Sequence, residues 1–124
     1  MKTAAAFLNT DGGTLLIGVG SDGTPVGLDL DYAQVKPSNG DGFVNWLTTH
    51  LINALGGAAV MRTRARIVHH GGFDLCRLDV GRSPKEVWAK TSKEAKVFFV
   101  RMNNSSRSLA GDELDDYVKH RWES

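Results

Sequence analysis

Residues 7–23 read FLNTDGGTLLIGVGSDG, and the reading of their glycines decides the fold. The stretch contains a literal G-x-G-x-x-G, Gly18 to Gly23, directly after the apolar run Leu15-Leu16-Ile17. A dinucleotide site needs such glycines to open a helix whose N-terminal amides hold the pyrophosphate. Here Thr24-Pro25-Val26-Gly27-Leu28 follows instead. Proline removes an interior helical hydrogen bond and glycine lowers helix propensity, so no helix starts there. The lysine and Ser/Thr of a nucleotide phosphate loop are missing as well. Ser21-Asp22-Gly23 predicts a hairpin turn between a strand at 14–19 and a short strand at 24–28. The segment implies turn chemistry and no cofactor.

Working outward, residues 2–8 form an Ala-rich helical fragment, the tail of a longer helix, stopped by Gly12-Gly13. A polar connection runs from Asp29 to Asp41. Asp41 then caps a helix of about fourteen residues with Val44, Leu47, Thr48, Leu51, Ile52 and Leu55 on one face. Strands are expected at 60–68, at 73–80 across the turn His70-Gly71-Gly72, and at 97–100. Residues 101–108 read as a polar turn. The last helix runs from its cap Asp112 to about Trp122, with Leu114, Tyr117, Val118, Arg121 and Trp122 facing inward. This order predicts an α+β domain over residues 1–124, a mainly antiparallel sheet of about five to six strands packed with two to three helices.

The totals agree with one modest core: 124 residues, 41% hydrophobic and 23% charged. No apolar run approaches the ~20 residues of a membrane span, and the N-terminus lacks a secretory signal's apolar region. Cys76 is the one cysteine, so no internal disulfide forms and a reduced, cytoplasmic setting is expected. Within Asp74-Leu75-Cys76-Arg77-Leu78 it reads as a buried thiol, with a catalytic role as the alternative. Net charge is only +1, but residues 60–107 carry +7 and the remainder −6. Such segregation fits one basic face.

In strand 60–68, a period of two puts Arg62, Arg64 and Arg66 on one face. Three guanidiniums in a row need solvent or anions, and arginine's planar fork suits phosphate. The face is either phosphate-binding or a solvated surface balanced by acids such as Asp74 and Asp79 on the paired strand. Lys90, Lys93 and Lys96 make a second basic area, which matters if it lies beside the arginines. Arg101 and Arg107 flank the Asn/Ser-rich turn, where Asn103 or Asn104 can take a left-handed conformation and the serines cap backbone or meet phosphate. His50, His69, His70 and His120 lack metal-ligand spacing. Asp11, Asp22, Asp29 and Asp31 are either turn residues or an acidic metal cluster.

With these residues in hand, the chain resembles the Schlafen-type Alba-like domain family. The resemblance rests on AAFLNTDGGTLLIGV at 5–19, Asp22-Gly23 with Val26-Gly27, and Gly81-Arg82-Ser83-Pro84. It continues through Phe98-Phe99-Val100-Arg101 with the Asn/Ser-rich turn, then Leu109, Glu113, Tyr117 and Arg121. It implies an α+β fold and nucleic-acid association, often beside a helicase, ATPase or winged-helix region in bacterial proteins. Certain Schlafens cleave structured RNA with carboxylates that include two glutamates before the Asn-Thr-Asp-Gly-Gly segment. This chain begins at Met1-Lys2, so an N-terminally short version without that leading strand is expected. Gly20 stands where the family often has Asp, and Asn103 where glycine is usual.

The expectation is therefore a non-enzymatic domain binding DNA or RNA, weakly sequence-selective, on its own or as part of a transcriptional regulator. Arg62, Arg64 and Arg66 would meet phosphates, with Lys90, Lys93, Lys96, Arg101 and Arg107 as secondary contacts. One rival is a divalent-metal-dependent RNA nuclease using Asp11 and Asp22. Another is an interaction module that forms a homo-dimer through an exposed sheet edge.

Overall fold

Three consecutive alanines mark the helix around which the rest is built. In the computed structural model, which describes residues 1–91 and 95–122, α1 (Lys2–Asn9) buries every residue from Ala4 to Asn9. Small side chains let it pass close to strands on several sides. It packs against two antiparallel three-stranded sheets. The first has the order β1 (Gly13–Ile17), β3 (Phe73–Val80), β2 (Thr63–His70); the second β4 (Trp88–Lys90), β5 (Lys96–Met102), β6 (Ser105–Leu109). The α+β class and antiparallel pairing match the sequence reading, with the six strands divided between two sheets. Three helices are long, α1, α3 (Gly40–Leu55) and α5 (Gly111–Trp122); α2 (Asp29–Tyr32) and α4 (Gly57–Val60) have four residues each.

The main core joins α1, α3 and the inner face of the first sheet, through Leu8, Leu28, Phe43, Leu47, Leu51, Cys76 and Leu78. Cys76 is fully buried and burial pushes its thiol pKa up, which suits an unreactive packing role. A second, smaller core sits under α5, where Phe98, Val100 and Leu109 meet Leu114, Tyr117, Val118 and Trp122. These apolar positions of α5 recur at three- and four-residue spacing, as the sequence pattern requires.

Several boundaries differ from expectation for local reasons. The helix expected to start at Asp41 is capped by Asn39, whose side chain accepts from the Gly42 amide at 3.1 Å; Asp41 lies in the first turn. Strand 24–28 reduces to a single bridge, Val19 to Pro25, because proline cannot donate to a ladder. Strand 60–68 begins only at Thr63, since Gly57–Val60 coils into α4 and the Thr63 hydroxyl closes it on the Val60 carbonyl at 2.7 Å. The polar turn at 101–108 is a hairpin: β5 runs through Met102, Asn103 takes φ 55, and β6 returns from Ser105. Ser105 caps the Met102 carbonyl, in keeping with the backbone-capping reading of the serines.

The two cores are tied together at the end of α1. Fully buried Asn9 donates to the carbonyls of Val87 (2.8 Å) and Phe99 (2.9 Å) and accepts from the Val87 amide (2.9 Å). Arg121 of α5 donates to the carbonyls of Asn9 (3.2 Å), Thr10 (3.2 Å) and Ser83 (3.0 Å). A cation there satisfies α1's last carbonyls and complements the helix dipole. The Tyr117 hydroxyl adds a further hydrogen bond to the Asn9 carbonyl. Three residues that carried the family resemblance thus act as joints of the scaffold.

Candidate nucleic-acid interface

The two-residue turn Gly71-Gly72 fixes the β2–β3 register at His70 opposite Phe73, and everything upstream follows by counting. Arg66 then faces Arg77 and Arg64 faces Asp79. On the other side of β3, Leu16 of β1 pairs with Arg77 and Thr14 with Asp79. Strand alternation sends Leu15, Ile17, Ala65, Ile67, Cys76 and Leu78 to the core. It sends Thr14, Leu16, Arg64, Arg66, Arg77 and Asp79 to the outer face. The two long helices that touch this sheet, α1 and α3, contribute to the inner core.

At the Val80 end the outer face is therefore open: Arg64 and Arg66 are exposed and Leu16 is 49% exposed. At the other end it is covered, with Leu75 buried beside Gly18. Arg77 was not singled out from sequence, although the turn-derived register would have found it. Its Nε donates to Asp79 at 3.0 Å, while the Thr14 hydroxyl donates to the same carboxylate oxygen at 2.8 Å. The Thr14 and then the Arg77 hydrogen bonds hold Asp79 below the usual carboxylate range, with Arg66 adding a weaker attraction. The acid expected to balance the arginines is present, one against three. Asp74 points the other way and takes no part.

The remaining expected residues divide by location. Arg62 lies outside β2, contrary to expectation, but it is exposed and lines the same shallow depression as Arg64, Thr14 and Asp79. Lys96, at the start of β5, lines an adjoining groove that also includes Arg62. Lys90, opposite Lys96 in the β4–β5 ladder, lines a different cavity with His50 and Asn53 of α3. Lys93 lies outside the described residues. Arg101 and Arg107 belong to the second sheet: Arg101 sits 5.2 Å over the Phe7 ring and donates to the Ser106 hydroxyl, and Arg107 donates to Ser105. The fold brings Arg62, Arg64, Arg66 and Lys96 together and leaves Lys90, Arg101 and Arg107 elsewhere.

The carboxylates of the nuclease rival are placed as turn residues. Asp22 accepts from the Thr24 amide at 3.0 Å, and that bond lowers its pKa. Asp11 lines a separate depression with Arg101 and Asn103. Among the described residues no three His, Cys, Asp or Glu side chains gather in a metal-holding group.

At the covered end, the Tyr32 hydroxyl donates to Asp74 Oδ2 at 2.8 Å and His69 Nδ1 meets Asp74 Oδ1 at 2.5 Å. The Tyr32 bond, then His69, holds Asp74 below the usual carboxylate range. Burial, then the Asp74 carboxylate, pushes the Tyr32 phenol up to about 12. A depressed acid stabilises the fold above its unfolded pKa and loses that stabilisation as pH falls. A raised phenol stabilises it below ~10 and loses that as pH climbs toward 12. Tyr32→Phe is thus expected to make the alkaline decline of the urea midpoint shallower. An unchanged alkaline limb would contradict this tether.

The model of the family described as Schlafen, AlbA_2 matches residues 1–110 of the chain. No curated protein matches. Among solved structures, the DIP2311 protein from Corynebacterium diphtheriae superposes with a TM-score of 0.63 at 17% identity. The superposition covers 96% of this chain and 18% of that one, so the likeness is one of fold and spans a small part of the longer protein. No helix among the described residues is long and apolar enough to cross a membrane.

Proposed function

Since this chain belongs to the Schlafen, AlbA_2 family, matched over residues 1–110, we propose that it is a nucleic-acid-binding domain whose contact surface is the outer face of the β1–β3–β2 sheet. The carrying observation is the open end of that face, where Arg64, Arg66 and Arg77 stand against the single carboxylate of Asp79 and Arg62 extends the row along the rim. Guanidiniums carried at strand spacing along an open face offer planar forks that suit a phosphate backbone. The residues gathered on this face are phosphate-binding guanidiniums, so binding is phosphate-dominated and weakly sequence-selective, for DNA or RNA. Such a module suits a transcriptional regulator, which would add partner segments for sequence choice.

The test is binding to duplex DNA and structured RNA across a salt series, with wild type and an Arg62→Ala/Arg64→Ala/Arg66→Ala variant. All three side chains are exposed, so the variant keeps its fold. Neutralising three phosphate contacts is expected to flatten the log–log salt slope by about 3 and to weaken binding at least ~10-fold near 0.1 M salt. Unchanged affinity in the triple variant, or a flat salt response in the wild type, would overturn the assignment. A dimer joined through the edge of β1, one of the sheet's two outer strands and the one with Leu16 exposed, is the second reading. Its signature is salt-insensitive self-association without nucleic-acid binding.

A further inference from the structure

We propose that the groove beside Trp88 accepts an unpaired nucleotide, so that the preferred ligand is a nucleic acid with a single-stranded segment. The inference rests on the sheet-face reading above, which it narrows to a ligand class.

The basic row does not end at the edge of the first sheet. Arg62 lines both the shallow depression it shares with Arg64 and a deeper groove of about 590 Å³ on its other side. That groove lies between α4 and the segment leading into β4. Arg62, Lys85 and Lys96 line it, with Glu86 as the one acidic residue among its lining. Residues 34 positions apart, Arg62 and Lys96, thus contribute to one positive concavity continuous with the sheet face. Its volume suits a ligand of nucleotide size.

Trp88 forms part of the wall and is the second, independent feature. Its ring is held edge-on by Phe98 at 5.4 Å, yet 38% of the residue stays exposed. Exposed indole forfeits hydrophobic free energy, and its flat face is a stacking surface for a base. Cations that follow a backbone plus an aromatic on which a base stacks are what single-strand sites combine. A base inside a duplex is already stacked on its neighbours and cannot reach the indole, so the groove selects an overhang, a bulge or a loop. The segment that carries Trp88 is itself held in place. Ser83 is buried, its hydroxyl donates to the Lys85 carbonyl at 2.6 Å, and its own carbonyl accepts from Arg121 and from the Trp122 indole.

The experiment compares a blunt duplex with the same duplex carrying a single-stranded tail, by fluorescence anisotropy, for wild type, Trp88→Leu and Lys96→Gln. Leucine keeps an apolar contact for Phe98, and Lys96 is exposed, so at least the second variant leaves the core intact. In the wild type the tail is expected to strengthen binding. Trp88→Leu should remove roughly 5- to 100-fold of the tailed-substrate affinity while leaving the blunt duplex unchanged. Lys96→Gln should reduce the tail's advantage by a smaller factor. Equal wild-type affinity for tailed and blunt duplexes, with the arginine dependence intact, overturns the groove assignment alone. No binding to either duplex overturns the sheet-face reading together with it.

Discussion

Replacing Asn9 by alanine is expected to destabilise the protein by about 3–5 kcal/mol, enough to lower a thermal midpoint by roughly 10–20 °C. The side chain is fully buried and satisfies three main-chain groups at once, the amide and carbonyl of Val87 and the carbonyl of Phe99. Those groups sit next to β4 and within β5, and only a water ordered in the space the side chain leaves could take Asn9's place. Each group left unpaired costs ~1–3 kcal/mol, so the loss far exceeds the value of one ordinary hydrogen bond. Asn9→Asp keeps the acceptor for the Val87 amide but turns a charge on two carbonyls, and should be no better. Urea unfolding measures the effect, with the midpoint falling while the slope stays constant. A loss below ~1 kcal/mol would mean the two cores are not joined through this residue.

The prediction matters for function because Asn9 lies in the most diagnostic segment of the chain. Read as a sequence, FLNTDGGTLLIGVGSDG invites a search for a ligand. Folded, its asparagine joins strands, its Asp22 closes a turn, and Leu15 and Ile17 fill the core. Arg121, the last residue on which the resemblance was read and one that lies beyond the matched residues 1–110, caps α1. The cations proposed to contact phosphate all lie outside this segment.

How much was legible follows from the physics of each element. α3 and α5 carried three- and four-residue apolar spacing, α1 showed as an Ala-rich run stopped by Gly12-Gly13, and β2 and β3 flanked a Gly-Gly turn, so all were visible from local signals. β4 was not, because Trp88-Ala89-Lys90 is too short for a period to show. β6 was not either: Ser105–Leu109 is a serine-rich strand made by pairing with β5, with only Leu109 reaching the core. The arginine stripe was seen in part. Arg62 was lost from it when Gly57–Val60 coiled into α4, and Arg77 joined it through the register. The groove joining Arg62 to Trp88 and Lys96 was beyond sequence reasoning, since it exists only once two sheets meet.

The second large effect separates two glycines that look alike in the sequence. Gly12 and Gly23 both have positive φ, +79 and +85. Alanine at Gly23 meets open space, with nothing within 4 Å of the added Cβ, so only backbone strain of about 1 kcal/mol is expected. At Gly12 the same Cβ would stand 2.6 Å from the Val80 carbonyl oxygen, a main-chain atom held in the β1–β3 and β2–β3 ladders. The Gly12 amide also donates to the Phe7 carbonyl at 2.8 Å, closing α1, so the residue cannot back away without opening that bond. Strain and overpacking add, and Gly12→Ala should cost about 3–5 kcal/mol. Because α1 positions both sheets, nucleic-acid affinity should fall with it at temperatures where the variant begins to unfold, while Gly23→Ala binds like the wild type. Equal destabilisation by the two substitutions would remove the packing role of Gly12 and leave turn geometry as the whole reason for the glycine.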